Sequence, residues 1–337
     1  MEKIFLAGYT RQDNQGIHLL EWDSHNEEIK GQQLIISESN PTYLVLSSNG
    51  KELYTLTDHP SPGVSHYRKE GQDFVFVDHC AFLEHNGCYL ALDEERQLLL
   101  NANYHEGTLA LIKIHSDGQL QLQQIISRTG QGPHPNQESS HCHYFNTSPD
   151  SKYYLACDLG TDSVISYQFD QEGQLQEKAS YQCQAGTGPR HLVFHPKEDI
   201  LYVIGELSHT IDILTYDDGH FSFVDRVNCL PETYSGENSS AAIRISTDGN
   251  FLYVSNRGYN SLEVFEVSKD GSQLSHIQSI PSGGDFPRDF NFDANQSHVI
   301  VGHQKEKKVT FFKRDQNTGQ LSPLNISCPL NEIVCVQ

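Results

Sequence analysis

The sequence has 337 residues, 36% of them hydrophobic and 20% charged, and its 44 acidic against 23 basic residues give a formal net charge of −21. Such an excess of negative charge repels nucleic acid and anionic membrane surfaces, so neither is predicted as a partner. No stretch approaches the roughly 18 apolar residues of a membrane span.

The N-terminal residues and the cysteines indicate the cellular compartment. Residues 1–16 combine a short apolar run with an acidic residue and lack the small-residue cleavage site of a secretion signal. The eight cysteines are scattered and include no CxxC pair, which favours reduced thiols over a disulfide scaffold. We therefore predict a cytoplasmic protein.

One pattern recurs along the chain: a short apolar strand, a turn of the Ser-Pro-Asp or Asp-Gly kind, a second strand, a loop and an alternating third strand. Six copies begin at residues 41, 87, 142, 189, 241 and 287, at intervals of 46 to 55 residues. Repeats of this period with three or four strands fit propeller blades, because each small sheet buries its faces only against its neighbours. The 3.6-residue periodicity of helical repeats is absent.

The two ends of the chain supply a seventh repeat. The N-terminal "KIFLAGYT…GIHLLEWD" matches the second and third strands of a blade, and the C-terminal "NEIVCVQ" matches a lone first strand. Pairing them would close the ring and remove its exposed edges. We therefore predict an all-β, seven-bladed β-propeller that forms a single domain over residues 1–337, with N-terminal strands 1–35 and the C-terminal strand 330–337 sharing one blade.

Polar side chains occupy two equivalent positions of the repeats. In a propeller blade the first strand begins, and the antiparallel second strand ends, at the same face, so residues at both positions should surround one mouth of the channel. The charged or aromatic residues at these positions include His143, Arg190, Arg288, Tyr104, Asp158, Glu206 and Arg257. Convergent polar groups in a concavity form a candidate site. The alternative is that they are ion pairs between blades or capped strand ends.

The histidines and cysteines near this mouth do not form a metal site in the sequence pattern. His141 and His143 share one face of a strand, but no third ligand at metal-like spacing accompanies them. Cys88 and Cys142 have no identifiable base beside them and are interpreted as small buried hydrophobes. We predict neither a metal nor a cofactor.

Four segments, at 136–164, 186–207, 239–265 and 286–293, carry a resemblance to a known family. They resemble the seven-bladed lactonase propellers, which include propeller-type 6-phosphogluconolactonases and fungal carboxymuconate lactonising enzymes, and the similarity spans all seven repeats. The resemblance implies catalytic roles for His143 in "HCHY", Arg190 in "GPRH", Glu206 in "GEL" and Arg257 in "SNR", with His141 as the neighbouring candidate. Many relatives have Asn where this chain has Gly205, so one side chain that could orient the glutamate is missing.

Lactone hydrolysis needs an activated water, an electrophile at the carbonyl oxygen and groups that hold the substrate. Glu206 or His143 would be the general base, one arginine would stabilise the oxyanion, and the others would bind a phosphate or carboxylate. An arginine beside Glu206 would weaken it as a base, so His143 is preferred. The residues predicted to bind substrate are Arg288, Asp158, Tyr104, His141 and His191.

The predicted function is metal-independent hydrolysis of a small anionic sugar lactone, 6-phosphogluconolactone to 6-phosphogluconate, a reaction of the pentose phosphate pathway. Two alternatives stay open: a lactone-forming cycloisomerase acting on a dicarboxylate, and a non-catalytic propeller that binds a ligand or a protein. A calcium-dependent sugar lactonase is disfavoured, because arginines lie near the carboxylates of Asp58, Asp158 and Glu206. The oligomeric state cannot be read from the sequence.

Overall fold

A computed structural model of the chain describes residues 1–231 and 233–337. Within these residues the chain forms 28 β-strands in seven four-stranded sheets, together with one short 3₁₀ turn at Leu159–Thr161. The seven sheets are the blades of a seven-bladed β-propeller, so the predicted fold class is confirmed. The described ranges contain no helix with the length and apolarity that crossing a membrane requires.

The strands in chain order are β1 (Glu2–Gly8), β2 (Gly16–Asp23), β3 (Glu28–Ser37), β4 (Leu44–Leu46), β5 (Glu52–Thr57), β6 (Gly63–Glu70), β7 (Asp73–Ala81), β8 (Tyr89–Asp93), β9 (Leu98–Asn103), β10 (Thr108–Ile114), β11 (Leu120–Ser127), β12 (Cys142–Thr147), β13 (Tyr154–Asp158), β14 (Ser163–Phe169), β15 (Leu175–Gln182), β16 (Pro189–Phe194), β17 (Ile200–Gly205), β18 (Thr210–Asp217), β19 (His220–Asn228), β20 (Ser239–Ile245), β21 (Phe251–Arg257), β22 (Ser261–Val267), β23 (Leu274–Pro281), β24 (Pro287–Phe292), β25 (His298–His303), β26 (Val309–Arg314), β27 (Leu321–Cys328) and β28 (Ile333–Val336).

The chain divides into two compact units. The first unit comprises residues 1–34, 191–216 and 222–337, and the second comprises residues 35–190 and 217–221. The first contains the sheets β20 to β23 and β24 to β27 and most of the sheets β28-β1-β2-β3 and β16 to β19. The second contains the sheets β4 to β7, β8 to β11 and β12 to β15. That residues 1–337 form a single domain stays a prediction.

Both ends of the chain contribute to one sheet of the first unit. Strand β28 pairs antiparallel with β1, and Leu6 lies opposite Val336. The backbone N–H of Val336 also donates to Asp289 Oδ2 at 2.9 Å, and the same carboxylate pairs with Arg244 at 3.0 Å. The prediction that N-terminal and C-terminal strands share a blade is therefore confirmed.

In the first unit, the inner strands are buried on both faces and the outer strands on one. Every residue of β17 and of β25 is buried, whereas in β23 only Leu274 is buried and the other residues are exposed or partly buried. Three apolar clusters fill the space between the sheets. In one of them Trp22, fully buried, stacks on Phe311 with ring centroids 4.8 Å apart. Continuous burial of the inner strands explains why they are nearly uninterrupted apolar runs in the sequence.

In the second unit, a row of tyrosines links equivalent positions of three sheets. The rings of Tyr43 and Tyr89 have centroids 4.7 Å apart, and those of Tyr89 and Tyr144 are equally close. These are the residues on which the first three sequence repeats align. Residues that align in the sequence repeat thus occupy equivalent positions in these three sheets. Aligned positions can therefore be used to locate side chains within each unit.

Candidate active site

The predicted site residues fall into two groups, one in each compact unit. Glu206, Arg257 and Arg288 lie in the first unit and form what we term the arginine cluster. Tyr104, His141, His143 and Asp158 lie in the second unit and form the histidine cluster. Arg190 belongs to the second unit and His191, the next residue of β16, to the first, and both side chains are buried.

Strand ends position the arginine cluster. Arg257 is the last residue of β21, and Glu206 directly follows β17. Arg288 is the second residue of β24. In register, Arg257 lies opposite Ser239, the first residue of β20. Starts of first strands and ends of second strands are therefore adjacent within this unit, as the repeat alignment predicts.

Arg257 and Glu206 form an ion pair that is largely shielded from solvent. Arg257 Nη2 lies 2.7 Å from Glu206 Oε2. The guanidinium is fixed further by two backbone carbonyls, with Nη2 donating to Ser240 at 3.0 Å and Nε donating to Ser239 at 3.3 Å. Only 5% of Arg257 is exposed. The pair thus places a preorganised cation and a carboxylate side by side without rotamer freedom.

The electrostatics of this cluster are dominated by burial, followed by the charges of Glu206 and Arg288. Burial lowers the pKa of the Arg257 guanidinium; the charge of Glu206 opposes this shift, and the charge of Arg288 adds to it. Arginine nonetheless keeps its proton in proteins. A positive charge in a poorly solvated site interacts strongly with an anion or a developing oxyanion, which suits Arg257 to electrophilic stabilisation.

Arg288 lies beside this pair and is held by a polar side chain. Its Nη1 donates to Gln304 Oε1 at 3.0 Å, and Gln304 directly follows β25. The guanidinium is only partly buried. Arg288 therefore presents a positive charge that an anionic substrate group can reach.

Asp158 supports the histidine cluster. Its carboxylate is fully buried and accepts hydrogen bonds from Ser140 Oγ at 2.8 Å and from the backbone N–H of His141 at 2.9 Å. It also accepts from Arg128 Nε at 3.1 Å and from Gly160 N at 3.1 Å. The bonds from Ser140 and His141 hold the segment that leads into β12. The predicted contact of Asp158 with substrate stays a prediction.

His141 is oriented by Tyr104. The two rings stack with centroids 4.2 Å apart and an interplanar angle of 8°, and His141 Nδ1 lies 2.8 Å from the Tyr104 carbonyl oxygen. Because a carbonyl oxygen only accepts, Nδ1 carries the proton and Nε2 has the lone pair in the neutral ring. His141 Nε2 lies 3.5 Å from Glu138 Oε2. This arrangement makes His141 a second candidate base beside His143, whose ring centroid lies 6.0 Å from that of Tyr104.

Cys142 fits the interpretation as a buried hydrophobe, whereas Cys88 is only partly buried. Cys142 is fully buried, and burial raises the pKa of its thiol well above the ordinary value, which disfavours the nucleophilic thiolate. All eight cysteines are free. In the described part of the chain no group of three or more His, Cys, Asp or Glu side chains is placed to hold a metal ion.

Several residues near the two clusters cannot be identified from the sequence repeat. Arg128 bonds Asp158 but lies after β11, outside the aligned strands. Arg11, Phe286 and Lys305 lie close to the arginine cluster in loops that the repeat pattern does not cover. The one signal for Arg128 is chemical, since a buried carboxylate requires a cation or several donors.

The fold agrees with a comparison against protein families. The family model "Lactonase, 7-bladed beta-propeller" matches residues 3–337. The chain belongs to this lactonase family. The predicted class of enzyme, a lactonase, is thereby confirmed, and the resemblance noted in the sequence is correct.

Individual members of the lactonase family cover the chain almost completely. A Bacillus subtilis protein named 6-phosphogluconolactonase is 32% identical over 339 residues, covering 99% of this chain and 97% of that protein. A solved structure from Lactobacillus plantarum has a TM-score of 0.95 and 40% identity, covering 100% of this chain and 98% of that one. A Pseudomonas aeruginosa structure, described as a periplasmic gluconolactonase, has a TM-score of 0.93 and 26% identity, covering 100% and 98%.

Proposed function

We propose that the protein hydrolyses 6-phosphogluconolactone to 6-phosphogluconate. The observation that carries the proposal is the buried Arg257–Glu206 pair with Arg288 beside it, in a chain of formal charge −21. In so acidic a protein an anionic substrate needs a local concentration of fixed cations. The proposal is supported by the Bacillus subtilis relative, which is named for this activity.

The proposed reaction is a direct attack of water on the lactone carbonyl carbon. A general base takes one proton from the water as the new C–O bond forms, and the carbonyl oxygen becomes an oxyanion stabilised by Arg257. The tetrahedral intermediate then expels the ring oxygen, which takes up a proton and becomes a free hydroxyl group. We propose that Arg288 binds the substrate's negative group and that Arg190 contributes a second cationic contact.

The base is proposed to be His143 or Glu206. Glu206 is already paired with Arg257 at 2.7 Å, which stabilises its charged form and makes it a weaker proton acceptor. We therefore favour His143, a residue of β12 that is 4% exposed, as the base. No metal is needed in this scheme, since the arginines supply the positive charge that a dication would otherwise provide.

We further propose that the protein works in the cytoplasm. Eight free cysteines, six of them buried, suit a reducing compartment. The Pseudomonas aeruginosa neighbour, in contrast, is described as periplasmic.

The first experiment follows the decay of freshly generated 6-phosphogluconolactone with and without the protein. We expect acceleration that is unchanged by a chelator and reduced at least about tenfold by Arg190→Ala, since a buried cationic contact to substrate is lost. Glucono-1,5-lactone and a muconate-derived dicarboxylate are assayed in parallel. Turnover of the dicarboxylate alone would replace the proposal by a cycloisomerase, and chelator-sensitive activity would contradict the metal-free scheme.

The identity of the base is tested with His143→Ala and Glu206→Gln. If His143 is the base, the histidine variant loses about 10²-fold or more of kcat and the acid-side limb of the pH profile flattens, because that limb reports protonation of the general base. The glutamine variant should retain more activity, since it keeps the shape of the carboxylate and a hydrogen bond to Arg257. The opposite ranking would assign the base to Glu206.

A further inference from the structure

Two aromatic rings beside the Arg257–Glu206 pair are each flanked by two cations. Lys305 Nζ lies 3.8 Å from the ring centroid of Phe286, and Arg257 Cζ lies 5.3 Å from the same centroid. Cations within about 6 Å of an aromatic ring centroid are attracted by the ring quadrupole. Phe286 therefore brings a solvent-exposed lysine next to the buried arginine of the proposed active site.

The ring of Tyr9 likewise has two cations within about 6 Å of its centroid. Arg11 Cζ lies 4.0 Å from the Tyr9 ring centroid, and Arg288 Cζ lies 5.8 Å from it. Tyr9 and Arg288 are both close enough to Arg257 to interact electrostatically with its guanidinium. The two aromatic rings and four cations thus form one continuous group, all within the first compact unit.

The carboxylates around this group are engaged by other partners. Asp13 pairs with Lys307 and accepts from Asn331, and Asp285 accepts from Asn260 at 2.8 Å. Glu332 accepts from the backbone N–H groups of Arg11 and Gln12 at 3.0 and 2.9 Å. Within residues 1–231 and 233–337, neither the Arg11 guanidinium nor the Lys305 ammonium forms an ion pair. The charges of Arg11 and Lys305 are therefore not neutralised by direct contact with a carboxylate among the described residues.

The backbone at Phe286 is held in an unusual conformation. Its φ angle is +64°, in the left-handed region that a bulky side chain rarely adopts. The conformation is held by its N–H, which donates to Asn260 Oδ1 at 2.9 Å, and by its C=O, which accepts from Gln304 N at 3.0 Å. Such strain persists where surrounding contacts enforce it. Here those contacts fix a ring between two cations.

We infer that Arg11 and Lys305, held on the faces of Tyr9 and Phe286 next to Arg288, form the subsite that binds the phosphate of the substrate. A ring face holds a cation without using its N–H donors, so these donors stay available to phosphate oxygens. A phosphate dianion beside these side chains would also offset the positive charges of Arg11, Lys305 and Arg288, which lie near the already paired Arg257. The inference rests on the proposed function, and it adds two residues that the repeat alignment does not identify.

The test compares a phosphorylated and an unphosphorylated substrate in the double variant R11Q/K305Q. We expect kcat/KM for 6-phosphogluconolactone to fall roughly 10- to 100-fold, chiefly through KM, because two charge-assisted contacts are removed from binding. Turnover of glucono-1,5-lactone should change by less than about twofold. Equal losses on both lactones, or no loss on either, would overturn the assignment.

Lys269→Gln is the control for the loss of one positive charge, and it is compared with R11Q and K305Q made singly as well as with the double variant. Lys269 is exposed in the first unit, after β22, at the opposite end of the blade from the arginine cluster. The substitution removes one positive charge without touching the proposed subsite, so kcat/KM for both lactones should equal that of the wild type. A loss in Lys269→Gln comparable to that in R11Q/K305Q would assign the effect to net charge and overturn the subsite.

A binding measurement separates this inference from the proposed function. Calorimetric titration with 6-phosphogluconate and with gluconate does not require turnover. If the wild type hydrolyses neither lactone but prefers 6-phosphogluconate, and R11Q/K305Q removes this preference, the subsite stands and the proposed reaction fails. If the wild type binds both acids equally, the subsite is wrong whatever the enzyme hydrolyses.

Discussion

Replacement of Arg257 by methionine is expected to reduce kcat/KM for lactone hydrolysis by about 10²- to 10³-fold, the usual effect of removing one preorganised oxyanion donor. Methionine fills much of the space of the arginine stem, so the loss should be mainly electrostatic. The same change removes the partner of Glu206 at 2.7 Å, and an unpaired carboxylate in this position further repels an anionic substrate. Initial rates with 6-phosphogluconolactone measure the effect.

A buried arginine elsewhere in the same unit provides the control. Arg314 is 4% exposed, against 5% for Arg257, and it donates to Tyr253 Oη at 2.6 Å and to the Gln296 carbonyl at 3.0 Å. Arg314→Met should lower the melting temperature, since it leaves a buried acceptor unsatisfied. Its turnover, corrected for the folded fraction, should stay within about twofold of the wild type. Retention of more than a tenth of wild-type activity in Arg257→Met would exclude Arg257 as the oxyanion donor.

Removal of residues 333–337 is expected to prevent stable folding at 37 °C. Ile333, Val334 and Val336 are buried in the first unit, and burying three such side chains contributes roughly 5 to 9 kcal/mol. A typical protein has a total stability of about 5 to 15 kcal/mol. The deletion also removes the partner strand of β1 and the N–H group that donates to Asp289. Thermal denaturation followed by circular dichroism measures the loss.

A graded version of this experiment uses single substitutions. Ile333→Ala creates a cavity in the apolar cluster that contains Trp22, at a cost of about 2 to 5 kcal/mol. Leu34→Ala, at a position 39% exposed in the outer strand β3, should cost less than about 0.5 kcal/mol. Melting temperatures within about 2 °C of each other for these two variants would show that β28 is dispensable.

The inner three strands of each sheet were predictable because burial leaves a strong sequence signal. Strands such as β17, "ILYVIG", are apolar throughout and are followed by turn residues at regular intervals. The outermost strands give a weak signal: β15, "LQEKASYQ", is polar along most of its length because one face meets solvent. The lone C-terminal strand was predictable only by counting the strands of each repeat, since its partner lies more than 300 residues away in sequence.

The candidate site was partly predictable for a geometric reason. Arg257 and Glu206 sit at strand ends, where antiparallel register fixes their positions relative to the neighbouring strand. Arg11, Phe286 and Lys305 lie in loops, and the repeat does not predict the conformation of loops. The left-handed backbone of Phe286 is the clearest case, because no residue-type preference predicts it for phenylalanine.

The pairing of β28 with β1 imposes an order on biosynthesis. A ribosome releases β1 to β3 within the first 37 residues, yet the strand that completes their sheet begins at residue 333. At roughly 5 to 20 residues per second, the interval is about 15 to 60 s. Throughout that time the nascent chain carries an unpaired edge at β1 while the later sheets form. The sheet that contains β1 is therefore the last of the seven described sheets to be completed, and chaperones that bind exposed strand edges have their longest opportunity at residues 2–8.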